Sequence, residues 1–113
     1  MSTLKKKPEH PLVLNMGYKQ FKIVQKSLDK DNLYGYTEFP KATIGIDPNQ
    51  SLIDYKGTLL HEILHVGFDF VGLGEDDSIP TMGNEYLVSV TSNIMQFLVA
   101  LNPELFQFIF SDE

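Results

Sequence analysis

The sequence predicts an α+β domain, and three observations carry that expectation. Between residues 12 and 46, short apolar runs alternate with polar residues at the two-residue period of strands. After Ser51, apolar residues recur at the three-and-four spacing of helices over two long stretches. Near the C-terminus, Leu105, Phe106, Phe108, Ile109 and Phe110 follow an Asn102-Pro103 pair, which reads as a cap and a first helical residue. The expected architecture is a small antiparallel three-stranded sheet packed on a helix pair, with a short C-terminal helix.

The elements follow in order. Residues 1–11 read as a flexible polar arm, and residues 12–113 as a single domain. Leu12-Val13-Leu14 starts the fold. In residues 18–27, Phe21 and Ile23 alternate with Gln20 and Lys22, giving a first strand. The polar stretch 28–32 reads as a turn, residues 34–39 as a second strand, and residues 42–46 as a third, joined as a meander. Asp47-Pro48-Asn49 stops the sheet.

Ser51 with Asp54 three residues on reads as a variant capping box opening a helix over 52–70, ended by Gly72 or Gly74. Gly57 and Gly67 lie inside it, each costing about 1 kcal/mol against Ala. Either glycine therefore marks a loose end or a close neighbour. A loop leads to a second helix over 85–101, capped by Asn84 or Thr81, with Val88, Thr91, Ile94, Met95, Leu98 and Leu101 as its buried stripe. The apolar C-terminal helix either docks on the core or forms a homodimer contact.

Composition bounds the function. A chain of 113 residues with 42% hydrophobic content suits one modest core. No apolar run approaches a membrane span of roughly 18 residues, and Met1 to Pro11 lacks a signal-peptide core, so a cytoplasmic protein with no membrane contact is expected. With no cysteine, a metal must be held by His, Asp or Glu. Nine Lys face six acids up to Lys56, and nine acids with no base follow it. That acidic half argues against a nucleic-acid partner and suits a cation. A plain solvated acidic surface accounts for it more simply than a tuned preference for basic substrates does.

The chemistry centres on His61-Glu62-Ile63-Leu64-His65, an H-E-x-x-H pattern. On a helix, residues four apart share a face, so both imidazoles can hold one zinc ion. Glu62 then lies where a carboxylate can act as general base toward a zinc-activated water. Three His and seven Glu placed at random give this pattern in roughly 0.5% of such chains, so coincidence is a poor account of it.

A catalytic zinc site needs a third protein ligand. His10 sits in the arm. Asp69 lies one turn too far along the helix. Glu85, opening the second helix after a loop that can return the chain, is the favoured ligand, with the loop acids Glu75, Asp76 and Asp77 as alternatives. A Glu in a first helical turn is also favoured simply by the helix dipole. Tyr34, Tyr36, Tyr55 and Tyr86 are candidate oxyanion donors, and no spacing selects among them.

The run Thr58-Leu59-Leu60-His61-Glu62-Ile63-Leu64-His65, then Asn84-Glu85, then Asn102-Pro103-Glu104-Leu105, resembles the small zincin-like metallopeptidases of phages and prophages. Their layout is similar to the minimal core of the ImmA/IrrE peptidases and, more distantly, to SprT-like proteins. The resemblance covers roughly residues 18–110, and only the H-E-x-x-H segment of it is specific. It implies a minimal zincin-like metallopeptidase domain with Zn2+ on His61, His65 and Glu85, Glu62 as general base, and a protein or peptide substrate. Ser89 stands where glutamate zincins often carry, four residues after the ligand Glu, an Asp that supports the metal ligands. The absent third His and cysteine ribbon argue against the SprT type. The rival reading is a non-catalytic, zinc-stabilised protein-binding module of phage or prophage origin.

Overall fold

A computed structural model describes residues 7–73 and 83–112. Four strands, β1 (Val13–Asn15), β2 (Gln20–Gln25), β3 (Gly35–Glu38) and β4 (Thr43–Ile46), precede three helices, α1 (Leu52–Phe70), α2 (Asn84–Leu101) and α3 (Pro103–Phe110). The α+β class holds, but the three-stranded antiparallel meander does not form. The sheet has four strands in the order β1-β2-β4-β3, and β2 pairs with β4 in parallel.

The reason lies in the link between β2 and β3. It is too long for a hairpin and contains a 3-10 turn at Asp29–Asp31. Its buried Leu28 donates its N–H to Asp47 Oδ2 at 3.0 Å, while Lys26 N–H bonds Ile46 O at 3.0 Å. The link is thus tied across the end of β4 and delivers β3 to the far side of that strand. Burial agrees with this order. Ile44, Gly45 and Ile46 are all buried, as suits a central strand, whereas every residue of β3 is half-buried. Gly45 makes room for the Tyr36 ring that covers it, since a Cβ there would stand 2.1 Å from that ring. β3 and β4 close as a four-residue hairpin around Pro40, with Ala42 taking the left-handed conformation (φ 46°).

The first helix forms over the expected span. The Ser51 hydroxyl accepts from Asp54 N–H at 3.1 Å. At the other end Gly72 (φ 83°) supports a Schellman turn, with Leu73 N–H to Phe68 O at 2.8 Å and Gly72 N–H to Asp69 O at 3.0 Å. Tyr55, Leu59, Ile63 and Val66 form its buried stripe against the sheet. Gly67 has a close neighbour: an added Cβ would meet Ile94 Cγ2 at 2.5 Å, so α2 approaches α1 at this point. Gly57 has none.

The second helix begins at Asn84 itself, with Gly83 at the cap position, so Asn84 is not the cap; Thr81 lies outside the described residues. Ile94 and Leu98 are buried as expected, Thr91, Met95 and Leu101 are half-buried, and Val88 is 62% exposed. α3 docks on the core through Leu105, Phe106 and Ile109. At the corner between α2 and α3, buried Asn102 accepts from Asn15 N–H at 2.7 Å and donates to Asn15 O at 2.8 Å, which ties β1 to the helices. No helix among the described residues is long and apolar enough to cross a membrane.

Candidate metal centre

Helix α1 carries all three motif residues and separates them by face. His61 and His65 lie on the exposed side, one turn apart. Their rings meet edge to face with centroids 4.6 Å apart, and their Nε2 atoms converge to 3.1 Å. Two nitrogens on one tetrahedral zinc, each at about 2.0–2.1 Å, stand about 3.3 Å apart, so the observed separation fits a shared ion with little adjustment. Without an ion, the same contact is an N–H···N bond, which requires one ring to donate and the other to accept.

Glu62 turns toward the sheet and is only 7% exposed. Its Oε1 accepts from Thr37 Oγ1 at 2.6 Å, across the junction between α1 and β3. Beside it runs an open cleft of about 980 Å³ between the first half of α1 and the start of β3. Tyr34 and Gly35 line one wall, Ile53 and Gly57 the other, and His61 and Glu62 stand at one end. Gly35 lets the strand lie this close, since a Cβ there would meet Thr58 Cγ2 at 2.7 Å. Thr58 in turn donates to Gln50 at 2.9 Å, and Gln50 donates to Asp47 O at 2.8 Å, bracing the mouth of the cleft.

The third ligand is not assembled with the pair. Glu85 is exposed at the start of α2, and Asp69 is exposed further along α1. Among the described residues no group of three His, Cys, Asp or Glu stands at metal-binding spacing. Glu75, Asp76 and Asp77 lie outside the described residues.

Of the four candidate tyrosines, Tyr34 alone lines this cleft. Tyr36 covers Gly45 with Lys26 Nζ 5.4 Å from its ring centroid, and Tyr86 is exposed on α2. Tyr55 is fully buried and engaged elsewhere. Its hydroxyl lies 2.6 Å from His10 Nε2 and accepts from Gln25 at 2.8 Å. The last part of the arm is therefore held against the domain, with the His10 ring 4.8 Å from that of Phe108. Burial holds the His10 pKa below its ordinary value, opposed by the Pro11 carbonyl, and burial raises that of Tyr55.

Sequence reasoning missed Thr37. Strand alternation places it on the same face as Gly35, yet nothing local marks it as the partner of a residue 25 positions away. No family model, curated protein or solved structure matches this chain.

Proposed function

We propose that this domain is a zinc-dependent metallopeptidase of minimal zincin layout. The observation that carries the reading is the convergence of the His61 and His65 Nε2 atoms at 3.1 Å, one residue from a carboxylate at the head of a cleft. Two imidazoles and one carboxylate form a donor set suited to zinc; His61 and His65 would hold Zn2+, and Glu85, which does not stand with them here, is the expected third ligand. When bound, the ion supplies a Lewis acid for the scissile carbonyl and lowers the pKa of a water.

The chain's own groups do the rest. Glu62 takes the proton of the attacking water and passes it to the leaving amine. Tyr34 is the tyrosine best placed to donate to the developing oxyanion.

The edge of β3 orients the substrate. Asp47 N–H bonds Tyr34 O, which sets the phase of the β3–β4 ladder. The N–H and C=O groups of Gly35 and Thr37 therefore point away from β4, toward the open edge. An extended peptide can pair there as an added strand, with its backbone passing the His61 end of the cleft.

The test is Glu62→Gln. Cleavage of an unfolded protein substrate should fall about 10²–10⁴-fold while zinc stoichiometry stays that of the wild type. Unchanged cleavage in the variant, or a zinc-loaded wild type that cleaves nothing, overturns the reading.

A further inference from the structure

We propose that Thr37 is the positioning residue for Glu62, and that it links the orientation of this base to the strand edge on which a peptide would lie. The proposal rests on the peptidase reading above and adds to it a residue outside the H-E-x-x-H segment.

The contact is short and directional. Thr37 Oγ1 lies 2.6 Å from Glu62 Oε1, within the range of a hydroxyl donating to a carboxylate. Glu62 is nearly buried, so its carboxylate has few other orientations available. Threonine is branched at Cβ and stiff at χ1, and it sits on a strand already hydrogen-bonded to β4. The hydroxyl is therefore held by backbone rather than by a mobile side chain. One carboxylate oxygen is occupied by the bond, leaving Oε2 to receive a proton from water.

The same residue meets the substrate position from its other side. The ladder phase turns the Thr37 N–H and C=O outward, so a peptide added to β3 would bond the backbone of the residue whose side chain holds the base. Seating the peptide and aligning Glu62 then depend on a single position. Gly35, two residues earlier, lets β3 approach α1 closely enough for this bridge.

Thr37→Val keeps the shape and branching and removes only the hydroxyl. With zinc-loaded full chain and dye-labelled casein, kcat should fall about 10- to 100-fold while KM stays within about twofold. Thr37→Ser should recover most of the rate. A second readout needs neither metal nor turnover. In the metal-free protein, Thr37→Val and Glu62→Met should be non-additive in melting temperature, because each removes the same bond. Wild-type rates in Thr37→Val, no rescue by Ser, or additive melting shifts overturn this proposal alone. A zinc-loaded wild type that cleaves no casein overturns the peptidase reading and this proposal together.

Discussion

The carbonyl of Pro11 lies 2.7 Å from His10 Nδ1, so that nitrogen carries the proton. Neutral His10 then offers its Nε2 lone pair to the Tyr55 hydroxyl, which itself accepts from Gln25. Protonating His10 would place a charge where burial disfavours it. Its folded pKa lies below 6.5, so its contribution to stability is complete above about 6.5 and is lost as pH falls through the folded value. Tyr55 works in the opposite direction. Its folded pKa lies above 10.0, so its contribution is complete below about 10 and is lost as pH rises through the folded value. Melting temperature should therefore decline on both sides of that window. His10→Gln should flatten the acid limb in a thermal scan across pH, and an unchanged acid limb would exclude this chain of bonds as its cause.

His61, Glu62 and His65 were legible because a helical period of 3.6 residues fixes their relation locally. Thr37 and the His10–Tyr55–Gln25 group were not, because each joins residues far apart in sequence. Such contacts exist only once the sheet order is settled.

Helix α1 contains two glycines with opposite roles. Gly67 faces α2, and its missing Cβ is the space that Ile94 and Leu98 occupy. Gly67→Ala should destabilise the domain by about 1–3 kcal/mol in denaturant unfolding, since α2 must shift outward. A Cβ on Gly57 would meet nothing within 4 Å. Gly57→Ala should stabilise the protein by about 1 kcal/mol from helix propensity alone. Because Gly57 lines the cleft one turn before His61, that variant should also hinder a peptide lying there; a gain in stability with undiminished cleavage would show that the glycine leaves room for nothing. Sequence showed that each glycine needed an explanation. Only the positions of α2 and the cleft distinguish the two.

At the scale of the whole molecule, the helices were easier to read than the sheet. The spans of α1 and α3 follow from local spacing, the Ser51 cap and Pro103 at the first helical position, whereas Asn102 turns its side chain to Asn15 instead of capping α3, and its sequence left open whether that helix docks on the core. Strand order does not follow from local spacing. The segments forming β2, β3 and β4 are strands as expected, but only β2 alternates in burial, and a strand pattern does not say which strand lies beside which. The order is decided by Leu28 and Asp47, which carry the link past the end of β4 and leave β3 as the free edge over Glu62. That edge contributes Gly35 to the wall of the cleft that ends at His61 and Glu62.

In the proposed site His61 and His65 grip one zinc ion, with an open position facing Glu62. A crystal structure of the zinc-loaded protein, with anomalous data collected at the zinc edge, tests it most directly. The expected result is one zinc peak bonded to both Nε2 atoms at about 2.0–2.1 Å, with the Glu85 carboxylate as third ligand and solvent in the fourth position. Zinc absent from between the two imidazoles, or a site closed by a fourth protein ligand, would contradict the account.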